Sequence, residues 1–258
     1  MIRMALHLFG YDLRAFARNR QWQFFTLALP VLFLVIFASV FGGSGNTTPV
    51  AGGRISTSVY YVPGIIALGV IAACFGNLAA SVTTQRERGV LKRRRATPVP
   101  AAAVIAGRVL AAIVIAVGMA AVLLGIGWAV FGAHVPGRTA PALAVTVVIG
   151  AASFCCLGYA LTSLVRTEDA ALPAAMALTL PLYFISGVFV AVTVLPHWLA
   201  DVGEIFPVRH LANALLIAYN PHTTGLGFAG RDLLIVAAWG VAGLLIAVRT
   251  FSWLPLGR

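Results

Sequence analysis

The chain has 258 residues, of which 60% are hydrophobic and only 10% charged, and its mean hydropathy is +0.96. That composition excludes an ordinary soluble globular domain and fits one all-α, polytopic membrane domain over residues 1–258. The net charge of +11 does not point to nucleic acid, because the cations stand at the ends of apolar runs, where they mark orientation and meet anionic lipid. Residues 1–20 are amphipathic at helical spacing, with Leu6, Phe9, Leu13 and Phe16 on one face and Arg3, His7, Arg14 and Arg18 on another. This suits an interfacial helix. A signal-peptide reading fits less well: the next apolar run is long, no Ala-x-Ala site ends it and further spans follow. Residues 22–41 are long enough to cross a bilayer, with a kink expected at Pro30. Residues 42–58, rich in Gly, Ser, Thr and Asn, read as an external loop. A second span is predicted over residues 60–83, with Tyr60 and Tyr61 at the interface. Asn77 inside it suits a hydrogen bond between helices ahead of contact with a transported molecule.

The most highly charged stretch of the chain follows, Gln85-Arg-Glu-Arg-Gly-Val-Leu-Lys-Arg-Arg-Arg-Ala-Thr-Pro-Val-Pro100. Each Arg or Lys near the bilayer centre costs roughly 2.5–3.5 kcal/mol, so this segment belongs at the membrane surface. Thr84 followed by Glu87 reads as a capping box that ends the second span and starts a short helix over 85–97, with Pro98 and Pro100 stopping it. From the residues alone, a short surface helix and a solvated basic loop that only fixes orientation both remain open. Glu87-Arg88-Gly89, then Leu91, then Thr97-Pro98-Val99, resembles the loop signature of ATP-binding-cassette type-2 exporter permeases, including those of drug and antibiotic export. One departure is the run Lys92-Arg93-Arg94-Arg95, where that family usually has an aliphatic residue between its basic positions.

Further spans are predicted over residues 108–131, 141–164, 170–190 and 233–248, six in all, with Arg108 and Arg249 snorkelling to the surface. Phe251 and Trp253 suit the interfacial belt. Residues 134–139 form a short outer turn, and Arg166, Glu168 and Asp169 form an inner one, the acids favouring a helix start. Pro173 and Pro181 lie in the fifth span. Residues 191–232, with the apolar stretch 211–219 too short to span, read as an external re-entrant segment, as the same family resemblance implies. With the amino terminus inside, fourteen of the 18 cations fall on inner segments, which places both termini and the basic loop in the cytoplasm.

The only lysine, Lys92, is in no Gly-Lys-Ser/Thr context, so the chain has no P-loop. The seven acids, Asp12, Glu87, Glu168, Asp169, Asp201, Glu204 and Asp232, fall in loops or at ends of spans, which argues against an ion-driven carrier. His197, Asp201, Glu204, His210 and His222 match no metal spacing, and HExxH is absent. Cys74, Cys155 and Cys156 lie in apolar runs and read as small core residues. Ser186-Gly187 only faintly resembles the nucleophile motif of membrane serine proteases. Phe184 stands where that motif needs glycine, and the reading is rejected.

The family resemblance implies a non-enzymatic permease subunit in a bacterial inner membrane, moving a drug, antibiotic, lipid or other amphipathic cargo outward. It implies a separate ATP-binding subunit carrying ATP and Mg, a second permease chain, and no cofactor or metal on this one. Gln85, Glu87, Arg88, Gly89, Leu91 and Lys92 are the expected coupling residues. Phe33, Phe37, Phe75, Asn77, Tyr183 and Phe184 are candidates for the wall of the substrate path, although helix packing accounts for each of them too. Set against this reading is an ATPase-independent channel or membrane scaffold.

Overall fold

The computed structural model of the chain describes residues 2–43, 45–90, 101–165 and 167–250. Two helices open the fold, α1 (Ile2–Arg18) and α2 (Arg20–Phe41), the latter continuing through Pro30. A hairpin of β1 (Thr47–Val50) and β2 (Gly53–Ser56) follows. Then come α3 (Thr57–Ile71), a π-helical turn (Ala72–Gly76) and α4 (Asn77–Glu87). The rest is helical: α5 (Ala101–Phe131), α6 (Ala140–Leu164), α7 (Glu168–Ile185), α8 (His197–Gly203), α9 (Pro207–Tyr219) and α10 (Gly230–Thr250), with a 3-10 turn at Val192–Val194. Among the described residues, four helices are long and apolar enough to cross a membrane: Thr57–Glu87, Ala103–Phe131, Ala140–Leu164 and Gly230–Thr250. Thr26–Phe41 is a shorter apolar helix. Among the described residues the fold is all-α apart from the small hairpin, consistent with a membrane protein.

Thr57–Glu87 is the axis of the bundle. Its 31 residues reach about 46 Å at 1.5 Å per residue, more than the hydrocarbon thickness of a bilayer. Nearly every side chain from Tyr60 to Ile71 is buried, because α2, α5, α6 and α9 all pack around it. A helix that is apolar on every side has no solvent face to offer, and this one is accordingly central. The π turn widens it at Ala72–Gly76, where Gly158 of α6 comes so close that an added Cβ would sit 3.0 Å from the carbonyl oxygens of both Cys74 and Phe75. A second close seam joins α6 to α10. A Cβ on Gly240 would stand 2.6 Å from Ser153 Oγ, and one on Gly243 would stand 2.9 Å from Leu157 N. Small residues at such a seam let two backbones approach, the usual means of helix association where the surrounding solvent is itself apolar.

The structure departs from the sequence expectations at four places. The expected loop over residues 42–58 contains the hairpin, paired Thr47↔Ser56 to Val50↔Gly53. Its strands carry Thr, Val and Ile, and its two-residue connection carries Gly52 at φ +86°. Thr84 does not cap a new helix. Its hydroxyl donates to Ala80 O at 2.9 Å, one turn back, and the helix runs on to Glu87. The fifth apolar run is helical only to Ile185 rather than to residue 190, because Ser186-Gly187 turns the chain and Phe189 N returns to Tyr183 O at 3.3 Å. The last helix is longer than the uncharged run, taking in Arg231 and Asp232 at its start and Arg249 at its end. Of the expected surface helix over 85–97, residues 91–97 lie outside the described residues, as do Pro98, Pro100, Arg166, Phe251 and Trp253.

Candidate functional site: the elbow after the central helix and an aromatic cluster

The end of α4 is built around Arg86, which is 2% exposed. Its guanidinium donates to Thr162 O at 2.6 Å and to Val165 O at 2.5 Å, at the carboxyl end of α6. The last carbonyls of a helix have no partner within it and carry the negative end of its dipole, so a planar cation with several donors is the matching group. Burying a charge is costly without such partners, and here the partners fix α4 to α6. The neighbouring side chains point the other way. Glu87 is exposed, and Arg88 pairs with Glu168 at the first turn of α7 at 3.0 Å. Gly89 ends the helix at φ +68°, its N–H bonding to Arg86 O at 3.1 Å, in a conformation that a residue with a Cβ adopts only at a cost.

Gln85 faces a different neighbour. With Asp12, Asn77, Ser81 and Arg108 it lines a cavity of about 120 Å³ between α1, α2, α4 and α5. Arg108 Nε lies 3.8 Å from Asp12 Oδ2, and Asn77 Nδ2 donates to Thr26 Oγ1 at 3.5 Å. Of the expected coupling residues, Gln85, Glu87, Arg88 and Gly89 are therefore brought together on one elbow, whereas Leu91 and Lys92 lie outside the described residues.

The aromatic candidates separate into two groups. Phe33, Phe37, Tyr183 and Phe184 gather around Phe189, their ring centroids 5.8, 5.0, 5.8 and 5.2 Å from its own. Phe37 also meets Tyr61 at 5.3 Å and Phe41 at 5.5 Å. The cluster is held from α3, where Tyr60 Oη donates to Gly187 O at 3.1 Å and Tyr61 Oη to Phe189 O at 3.3 Å. Phe184 and Phe41 stay about half exposed at its edge. Asn77, by contrast, belongs to the elbow-side cavity, and Phe75 sits in the π turn, outside this set of ring contacts among the described residues.

The histidines and acids of residues 191–232 do not converge. His210 is buried between Asp232 Oδ1, 2.6 Å from its Nδ1, and Glu204 O, 2.9 Å from its Nε2. Asn213 Nδ2 donates to the other Asp232 oxygen at 2.8 Å. His222 lies instead beside Arg54 O of the hairpin at 3.4 Å. Among the described residues, no three His, Cys, Asp or Glu side chains are arranged to hold a metal ion.

A bundle of apolar helices ending in a charged elbow is one arrangement among many, and comparison with known proteins narrows it. The model of the family described as ABC-2 type transporter matches residues 6–220. This chain belongs to that family. It is 24% identical over 269 aligned residues to the inner membrane transport permease YadH of Escherichia coli K12, a match covering 98% of this chain and 97% of that relative. The YadH permease of Shigella flexneri matches to the same extent. It is also 26% identical over 155 residues to the probable multidrug ABC transporter permease YbhR of Escherichia coli K12, covering 60% of this chain and 42% of that relative. The match thus spans less than half the length of YbhR.

Two residues of this ABC-2 chain stand out that composition and spacing do not single out. Arg86 is one cation among several in the basic stretch. The available signal is its place one residue before Glu87, on the face of α4 opposite the exposed side chains. Phe189 lies in the apolar run Val188-Phe189-Val190 and reads as more of the span. The signal was Ser186-Gly187, a turn pair just ahead of it.

Proposed function

We propose that the chain is the membrane subunit of an exporter whose power comes from ATP hydrolysed, with Mg, on a separate ATP-binding subunit. The observation that carries this reading is the fixed elbow: Arg86 ties the end of the central helix to α6, while Glu87 and Arg88 face outward and Gly89 ends the helix beside them. A push on the outward residues is transmitted directly into the axis of the bundle. Gln85, Glu87, Arg88, Gly89, Leu91 and Lys92 form the contact with the ATPase. ATP binding on that partner shifts the population between two arrangements of the bundle.

In this reading six helices cross the membrane, namely α2, the continuous helix of α3 and α4, α5, α6, α7 and α10. The helix α1 lies in the cytoplasmic interface, and residues 191–232 form the external re-entrant segment. Both termini face the cytoplasm, the membrane is the bacterial inner membrane, and two permease chains make the pore unit. Phe33, Phe37, Tyr183 and Phe184, with Phe75 and Asn77 deeper along the same axis, line the route of an amphipathic cargo such as a drug, antibiotic or lipid. The half-exposed edge of the aromatic cluster supports an apolar-bodied cargo, as does the multidrug designation of the YbhR relative.

The test is co-purification of the chain with candidate ATP-binding subunits, followed by ATP hydrolysis in liposomes. The exporter reading expects a complex that dissociates on E87K/R88E and an ATPase rate stimulated by cargo. Solute flux through the chain alone, unaffected by those substitutions, establishes a channel instead.

A further inference from the structure

At the end of the bundle opposite the elbow, a second cavity of about 210 Å³ lies between the start of α3, the turn after α7, the 3-10 turn Val192–Val194 and α9. Its walls include Tyr60 and Leu216 on the apolar side and Ser186, Thr193, Arg209 and Asn213 on the polar side. Two of these side chains carry buried polar atoms without a protein partner, Ser186 Oγ and Arg209 Nη1. Ser186 is only 2% exposed. Arg209 is held loosely from the solvent side alone: its Nη2 is 3.5 Å from a Glu204 carboxylate whose side chain is 56% exposed. No Asp or Glu lines the cavity. The nearby acid, Asp232, is already engaged by His210 and Asn213.

A guanidinium N–H and a hydroxyl, both buried and both lacking an acceptor, call for a group rich in oxygen acceptors and negatively charged. On the other side Tyr60, Leu216 and the prolines beside them offer contact to an apolar body. We propose that this cavity binds the carboxylate or phosphate head of an amphiphile, with Arg209 Nη1 and Ser186 Oγ donating to its oxygens. The site stands independently of the exporter reading, since it requires neither an ATPase nor a direction of transport.

The test is calorimetric titration of the purified chain in non-ionic detergent with dodecanoate and dodecyl phosphate. Dodecanol serves as the uncharged probe, and sodium acetate and sodium phosphate serve as heads without tails. Saturable binding of both amphipathic anions is expected, with dodecanol at least about tenfold weaker, since a charge-assisted hydrogen bond in a buried site is of that order. R209Q lowers anion affinity by about tenfold or more, and S186A lowers it a few-fold. Thermal unfolding establishes that each variant is folded. Dodecanol binding as tightly as dodecanoate overturns the proposal, as does an unchanged affinity in folded R209Q. Inorganic phosphate binding as tightly as dodecyl phosphate removes the apolar wall from the site and overturns the amphiphile assignment. Should R209Q not fold, S186A decides: undiminished affinity there is equally fatal.

Discussion

Arg86 has the largest single consequence at the scale of one side chain. Replacing it with alanine leaves the Thr162 and Val165 carbonyls without their donor, and an unpaired buried acceptor costs about 1–3 kcal/mol each. R86A is expected to lower the unfolding temperature of the detergent-solubilised chain by several degrees. R86K, with a point charge in place of a planar fork, restores only part of the loss. His134 offers a milder test. Desolvation by partial burial pushes its pKa below the ordinary 6.5, outweighing a hydrogen bond with the Tyr219 backbone that acts the other way. The folded chain then binds fewer protons than the unfolded one just below pH 6.5, so stability contributed here is full above that pH and falls as the pH drops. Unfolding temperatures measured from pH 7.5 to 5.5 are expected to decline less steeply in H134Q. Buried cations of this kind are hard to read from a sequence. Arg86 has the same letter as the solvated arginines around it, and only the carbonyls brought up by α6, 76 residues later in the chain, distinguish it.

Among elements, the elbow and the α6–α10 seam respond to opposite kinds of change. The outward side chains of the elbow contribute little to folding, because an exposed ion pair such as Arg88–Glu168 is worth about 0–1 kcal/mol. E87K/R88E is therefore expected to leave the unfolding temperature nearly unchanged while abolishing co-purification with the proposed ATP-binding subunit. Among the described residues nothing stands within 4 Å of a Cβ built on Gly89, so the cost expected of G89A is about 1–2 kcal/mol of backbone strain from φ +68°. At the seam the cost is steric. G240L places carbon where Ser153 already stands, and overpacking of that kind costs about 1–3 kcal/mol, read as a lower unfolding temperature. The long apolar runs at helical length were legible because nothing but a helix satisfies their backbone in lipid. Their ends were less so. Thr84 and Glu87 have capping-box spacing, yet the hydroxyl finds its own helix, since a threonine inside a helix has Ala80 O within reach before any free N–H. The hairpin was missed for a related reason, its strands being only four residues each between glycines.

For the molecule as a whole, the charge pattern makes orientation testable with one reagent. Lys92 is the only lysine. A membrane-impermeant amine reagent, with modification mapped by mass to that residue, is expected to label it in inverted vesicles and spare it in right-side-out ones. The reverse pattern overturns the proposed cytoplasmic placement of the elbow. What connects the two ends is the continuous helix from Thr57 to Glu87, with Tyr60 and Tyr61 holding the aromatic cluster at one end and Arg86 anchored at the other. That connection depended on contacts far apart in the chain, which is why the candidate residues could be named from sequence but their grouping could not. Phe189 joins four of them only after the chain has reversed at Gly187.

The widened turn at Ala72–Gly76 sets the crank angle between those two ends. Each helical residue advances the azimuth by about 100°. A π turn accommodates about one residue more than an α turn does, so tightening it to ordinary α geometry with every residue kept rotates everything beyond it by up to about that much. The buried guanidinium swings off its carbonyls, and the charged side chains beside it sweep to a new bearing. A single wide coil in mid-helix thus determines which way the far end of the shaft faces.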